Sequence, residues 1–333
     1  MTPGPGHADH ARAVAFGGTI ETYRVYGVDL ASEDDLGLPL PRSQSPARVL
    51  FALGEPPVDI DLDRASPRAA SISEYRQRPD FSFLAFDHVD VVRVHGAADY
   101  YLLDDRIVCH LVEPRHAGLV RAHLFGMVLA LWLERRGVLT VHASAVAVGG
   151  NAVAFMAGRG HGKTSLSAAL TNAGCRFLTD DLLALTRRDG APGGFDAHPA
   201  YPQVRMTSDQ ARQFGEDPDG LPVVNPTTRK RGVAVPPERF STDPAPVRRV
   251  YLPERTADAD AVTIDPISPR EAFPLAMRHS FLGREVADLG LRGEQFTRVT
   301  HLVATTAFRR IRYRSGWDVL PDVVDAIITD VHH

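Results

Sequence analysis

Only two cysteines occur in 333 residues, Cys109 and Cys175, far apart and without metal-site or redox spacing. This excludes a disulfide framework and suits two buried thiols in a reducing cytoplasm. Long apolar runs are missing as well. The most hydrophobic stretch, residues 117–133, is broken by Arg121 and His123, which argues against a spanning helix. Met1 to Asp34 carry no charged-then-apolar signal pattern, so a soluble, cytoplasmic protein is expected. There is no basic excess, since 37 Lys and Arg stand against 41 Asp and Glu for a net charge of −4. Nucleic acid and anionic membrane are therefore not expected as main partners. With 44% hydrophobic residues, the chain can bury a core of one large domain plus a smaller one.

The pattern divides the chain into a loose tail (1–13), a β-rich N-terminal domain (14–115) and a mixed α/β domain (116–333). In the first domain, β-like runs cover Thr19 to Val28, Arg48 to Leu53, Val58 to Leu62, Phe81 to Phe86, Val89 to His95 and Tyr100 to Val112, while Pro39 to Pro46 and Ala65 to Pro79 read as loops. From His116 to Arg136, Leu119, Val120, Leu124, Met127, Val128, Leu131 and Trp132 recur at helical spacing, with Gly137 as the stop. Two strands, Leu139 to Val148 and Ala152 to Met156, follow around a Gly149-Gly150 hairpin turn. Downstream, Lys163 to Ala173, Ser208 to Phe214, Pro269 to His279 and Trp317 to Val331 read as helices. Arg176 to Leu178, His301 to Thr306 and Ile311 to Arg314 read as strands, and Pro218 to Pro246 as a long irregular segment.

Between the second hairpin strand and the next helix lies Ala157-Gly158-Arg159-Gly160-His161-Gly162-Lys163-Thr164, followed by Ser165. A glycine-rich turn of this spacing wraps backbone N–H groups around phosphates, and the helix behind it presents its positive end. Lys163 would reach the β/γ-phosphates, and Thr164 would offer its hydroxyl to Mg²⁺. Ala157 stands where the strict motif has its first glycine. Gly158, Arg159, Gly160, His161, Gly162, Lys163, Thr164 and Ser165 are the expected nucleotide contacts, with ATP and Mg²⁺ as cofactors. Asp180 and Asp181, just after the helix, suit a division between a metal-holding carboxylate and one that orients or deprotonates an acceptor. His142, one strand earlier, can reach the same cleft or can be a hydrogen-bonded packing residue.

The order His142-Ala143-Ser144-Ala145-Val146, a Gly-Gly turn, an apolar strand, the glycine-rich loop and Gly174 to Asp181 resembles the C-terminal domain of HPr kinase/phosphorylase. It is more closely similar to HPr-kinase-related proteins of modified-peptide systems, including lasso-peptide serine kinases. The resemblance runs from about Val138 to Leu185, and Tyr23 to Ser32 also suits that group. It implies a P-loop domain of the HPr kinase/PEP carboxykinase type behind a smaller β-rich domain. It further implies Asp180 as general base, Asp181 with Thr164 as the Mg²⁺ side, His142 beside the transferring phosphate and Lys230 as a phosphate clamp, with the two aspartate roles exchangeable. No counterpart of the acidic residue in the Glu-Thr-like segment of bacterial HPr kinases occurs around Gly193 to Arg205, so recognition of HPr itself is not implied. The expected activity is phosphoryl transfer to a serine of a peptide or small protein. The alternatives are a nucleotide-gated binding protein and a small-molecule hydroxyl kinase, and a homo-oligomer remains open.

Overall fold

The computed structural model describes residues 20–75, 78–188, 190, 193–225, 229–257 and 259–332. The expected tail, 1–13, and the start of order at Val14 lie outside them. The chain is mixed α/β, built on two large sheets and a small one.

The first sheet contains β1 (Glu21–Val25), β2 (Val28–Ser32), β3 (Val49–Leu53), β4 (Ala69–Tyr75), β5 (Arg78–Ala85), β6 (Asp90–Val94), β7 (Ala98–Leu102) and β8 (Arg106–Leu111). Their order across the sheet is β1-β2-β3-β8-β7-β6-β5-β4. Four expectations need correction. The run from Tyr100 to Val112 holds two antiparallel strands, β7 and β8, with Leu102 opposite Ile107. The run from Thr19 to Val28 is not one strand but a hairpin, with Val25 opposite Val28. Its two turn residues, Tyr26 and Gly27, have φ of 54° and 79°, as a tight two-residue turn requires; tyrosine is a poor signal for such a turn. Val58, Ile60 and Leu62 alternate as a strand would, yet they form none, covering instead the sheet face made by Leu84, Val91, Tyr101 and Val108. Conversely, the Pro- and Ser-rich stretch read as a loop holds β4, which pairs with β5 along its length.

Helical run α1 (Pro114–Glu134) is long and apolar enough by composition to cross a membrane. From Leu124 through Leu133, however, most of its side chains are buried in a core shared with the first sheet and with Leu182 and Ala184, so it serves as a core helix here. It kinks at Gly126, where φ/ψ is −116°/−113°.

Strands β9 (Leu139–Val148), β10 (Asn151–Met156), β11 (Arg176–Thr179), β12 (Leu182–Arg187) and β13 (Phe195–His198) begin the second sheet. A three-stranded sheet follows, β14 (Gln203–Met206), β15 (Val223–Asn225) and β16 (Lys230–Ala234), occupying part of the segment read as irregular. Then β17 (Ala245–Thr256), β18 (Thr263–Ile267) and β19 (Ala307–Arg314) complete the second sheet in the order β10-β9-β12-β13-β17-β19-β18, with β10 also parallel to β17.

Side-chain alternation sorts this sheet into two faces. Val141, Ala143 and Ala145 of β9 and Ala152 and Ala154 of β10 pack toward α4 (Pro269–Arg278) and α5 (Arg292–Thr305). Val146 and Val148 of β9 and Val153 and Phe155 of β10 pack toward α2 (Lys163–Asn172) and α6 (Leu320–His332). Helix α3 (Ser208–Gln213) lies beside the small sheet, closed at its start by a capping box between Thr207 and Gln210. The expected strand from His301 to Thr306 belongs mostly to α5. Val299, Leu302 and Val303 are buried from one helical face, a spacing that a six-residue window hides.

One buried ion pair ties α5 to the end of α1 and the start of β9. Glu134 is fully buried; its Oε1 accepts from the Thr140 N–H and hydroxyl at 2.7 and 2.8 Å, and its Oε2 from Arg298 at 3.0 Å. Burial raises the Glu134 pKa, and the bonds from Thr140 and Arg298 oppose the rise. Removing one member strands a charge in the core, so Arg298→Met should cost about 3 kcal/mol in urea unfolding. The double variant with Glu134→Gln should recover part of that loss.

Candidate functional site

Strand β10 ends at Met156, and the chain turns through Ala157 to Gly162 before α2 starts at Lys163. Gly160 and Gly162 sit at φ of 84° and 91°. A Cβ on Gly162 would lie 2.5 Å from Arg255 Nη2 and 3.1 Å from the Tyr313 hydroxyl, so both conformation and space demand glycine there. Lys163 is buried, with Nζ donating to the carbonyls of Ala157 at 2.6 Å and Gly158 at 3.4 Å. Burial lowers its pKa, while Asp180 and Asp181 pull it back up.

The two aspartates occupy a break in one edge of β9. Strand β11 pairs with β9 at Ala145 to Ala147, and β12 pairs with it from Leu139 to His142. Asp180 and Asp181 are the residues left between, opposite His142 to Ser144, and Thr179 Oγ1 spans the interruption to the Leu182 carbonyl at 2.6 Å. Register is kept across the break, with Thr179 opposite Ala145 and Leu182 opposite His142, so no extra residue is inserted there; the bulge of this edge lies just before it, at Leu178. Asp181 has φ of 89°, a costly conformation for a residue with a Cβ.

Each carboxylate then finds different partners. Asp180 is buried; Oδ1 accepts from Ser144 at 2.5 Å and Thr164 at 3.0 Å, and Oδ2 from the Arg205 backbone N–H at 3.1 Å. Asp181 is partly exposed, with Oδ1 3.3 Å from His142 Nδ1 and Oδ2 3.1 Å from Arg205 Nη1. The second arm of the Arg205 guanidinium donates to the Tyr201 hydroxyl at 2.5 Å. Tyr201 packs edge-on against Phe125 with centroids 5.6 Å apart, and the Phe125 carbonyl accepts from the Tyr26 hydroxyl at 2.9 Å. The hairpin tip of the first sheet thus abuts the support of Asp181. Burial opposes the charge on Arg205, but Tyr201 and Asp181 more than offset it, and its pKa is raised.

Burial also pushes His142 below the ordinary imidazole range, against the pull of Asp181. Arg205 and Lys230 come from the small sheet. Arg205 lies opposite Gly232 in the β14–β16 pairing, so Lys230, two residues before Gly232, projects from the same face. The resulting cleft, about 350 Å³, is lined by His142, Gly158, Arg159, Gly160, Gly162, Lys163, Thr164, Asp180, Asp181 and Lys230, together with Arg205, Thr207, Gln210 and Arg255. Two expected contacts lie off it. His161 is exposed, its Nδ1 3.1 Å from the Arg159 carbonyl oxygen. Ser165 is buried and accepts from Gln210 Nε2 at 3.0 Å.

The donor set suits Mg²⁺. Adjacent ligands of an octahedral Mg²⁺ at about 2.1 Å stand about 3 Å apart, and Thr164 Oγ1 and Asp180 Oδ1 are separated by 3.0 Å. Among the described residues no cluster of three or more His, Cys, Asp or Glu side chains forms a metal cage. A cation here would draw its remaining ligands from phosphate and water, the usual habit of Mg²⁺.

Among solved structures, the chain is similar to the HPr(Ser) kinase/phosphatase from Coxiella burnetii. The identity is 11% and the TM-score 0.30, over 57% of this chain and 95% of that one. No family model matches the chain, and no curated protein sequence matches it.

Sequence reasoning left out Ser144, Thr207, Gln210 and Arg255 and gave Arg205 no role. Arg255 is more than 90 residues from the loop it covers, and only the parallel β10–β17 pairing brings it there. One compositional signal was available: of 37 basic residues only two are lysine, at 163 and 230, and both line this cleft.

Gly162→Ala should lower stability by about 1–2 kcal/mol through its left-handed backbone, read by urea unfolding. It should weaken triphosphate binding further, read by calorimetry. In an NMR titration of the imidazoles, His142 should titrate below the free-histidine value. Asp181→Asn should move it lower still, because the charge that favours the protonated ring is gone.

Proposed function

We propose that the protein is an ATP- and Mg²⁺-dependent kinase that transfers the γ-phosphoryl group to a seryl hydroxyl of a peptide or small protein. The observation that carries this reading is the division of labour between the two aspartates. One aspartate is buried against the loop threonine, and the other faces outward with a histidine, both at the mouth of a glycine-rich turn backed by a helix N-terminus. Phosphoryl transfer needs positioning and charge neutralisation more than covalent chemistry, and these groups supply both.

The loop from Gly158 to Lys163 wraps the β- and γ-phosphates with backbone N–H groups. Thr164 and Asp180 hold Mg²⁺, which when bound neutralises charge building on the phosphate oxygens. This exchanges the aspartate roles expected from motif order. Asp181 takes the proton of the serine hydroxyl as its oxygen attacks the γ-phosphorus; the bond to the β-phosphate oxygen breaks and ADP departs. Neutral His142 and the Arg205 guanidinium fix Asp181 in its strained conformation. Lys163 and Lys230 stabilise the equatorial oxygens in transit.

The outer end of the cleft is open. Asp181 and His142 side chains are 31% and 35% exposed, which supports an acceptor arriving on a chain rather than a metabolite enclosed in a pocket. The resemblance of the His142 to Asp181 segment to kinases of modified-peptide systems supports a ribosomally made peptide precursor as that acceptor.

Mass spectrometry of serine-containing peptides, including precursor-like peptides ending in serine, after incubation with ATP and Mg²⁺ tests the reading. Wild type should add a phosphoryl group to serine. Asp181→Asn should bind Mg·ATP normally yet lose transfer by a factor of about 10² to 10⁴. Asp180→Asn should instead lose the Mg²⁺-dependent part of nucleotide affinity. Nucleotide binding without phosphorylation of any peptide, with transfer to small hydroxyl compounds, would replace the peptide acceptor with a metabolite.

A further inference from the structure

A second cavity, about 250 Å³, shares Gly160, Thr207, Gln210 and Arg255 with the first but is lined by neither Asp180 nor Asp181. Its outer wall is Trp317. The chain has two tryptophans; Trp132 is 1% exposed in the core, whereas Trp317 is 40% exposed. An indole left open to water while lining a concave site is a ready stacking surface.

The surroundings fix that surface. Phe214 packs edge-on against the indole at 5.9 Å and 90°, and Trp317 stands just before the first turn of α6. Gln210, which lines the same cavity, is held by the Thr207 capping box and by Ser165. Arg255 lies between the two cavities, with its guanidinium against Gly162. A chain of phosphates running along the loop away from the aspartates would pass Arg255 and lead to Trp317.

We propose that this second cavity is the nucleobase subsite, with Trp317 as its stacking platform and Arg255 as the cationic bridge between base and phosphates. The assignment rests on the nucleotide-binding reading of the loop. It adds to that reading the element that separates a nucleoside triphosphate from triphosphate alone. Stacking of a base on an aromatic side chain contributes about 1–3 kcal/mol, enough to dominate that discrimination.

The test compares Mg·ATP with Mg·tripolyphosphate, by calorimetry and by intrinsic fluorescence, on wild type, Trp317→Phe and Trp317→Ala. Wild-type fluorescence should quench with ATP and not with tripolyphosphate. Trp317→Ala should bind ATP about tenfold more weakly, with tripolyphosphate affinity and melting temperature unchanged, and Trp317→Phe should keep most of the ATP affinity. Wild-type ATP affinity in Trp317→Ala, or equal loss of both ligands, overturns the subsite while leaving the phosphate site standing. If neither ligand binds wild type, the nucleotide reading itself falls and takes the subsite with it.

Discussion

The site depends on one strand with three neighbours. β9 pairs along one edge with β10 and along the other first with β12 and then with β11, and the gap in pairing between those two partners falls at Asp180 and Asp181. Were β11 and β12 one regular strand, alternation would send neighbouring carboxylates to opposite faces of the sheet. The gap in pairing lets both serve one cleft at the cost of a positive φ at Asp181. The same alternation puts His142 and Ser144 on the face of β9 that meets α2, so each aspartate finds its partner directly across the ladder.

The polar groups then sort by burial. Asp180 spends both oxygens on donors inside the protein, which fixes it as a structural anchor for whatever Thr164 binds. Asp181 keeps solvent access and is held by one ion pair, to Arg205, with neutral His142 beside it, an arrangement suited to a group that must exchange protons. Its holder, Arg205, is itself braced by Tyr201, and Tyr201 by the contact of Phe125 with Tyr26. The first sheet is therefore part of the scaffold of the cleft: its hairpin tip is 2% exposed at Tyr26, whose N–H also donates to the Pro199 carbonyl at 2.8 Å.

What the sequence made legible was local. The β9–β10 hairpin announces itself through Gly149 and Gly150, both at positive φ, and the strand, glycine turn and helix that follow are contiguous in the chain. The clustering of Lys163, Thr164, Asp180 and Asp181 needed only forty residues of context. Edge strand β4 was hidden by its Ala- and Ser-rich composition and by the prolines on either side of it, Pro67 and Pro79. Residues His301 to Thr306 looked like a strand because a helical stripe, cut short, reads as an apolar run. Arg255 reaches the loop through the pairing of β17 with β10, and Trp317 follows β19, which pairs with β17 in turn; no local pattern carries that information.

The near-absence of lysine has a chemical consequence. Arginine keeps its proton throughout the working pH range and is a poor nucleophile, whereas a lysine amine can lose its proton and react, and burial favours that loss at Lys163. Apart from the chain's own α-amino group, every side-chain amine in this protein belongs to that cleft. Acylating or aldehyde reagents that would decorate the surface of an ordinary protein therefore converge here on two positions, Lys163 and Lys230. Surface chemistry that is usually indiscriminate becomes, for this chain, a direct reporter of whether the cleft is open or filled.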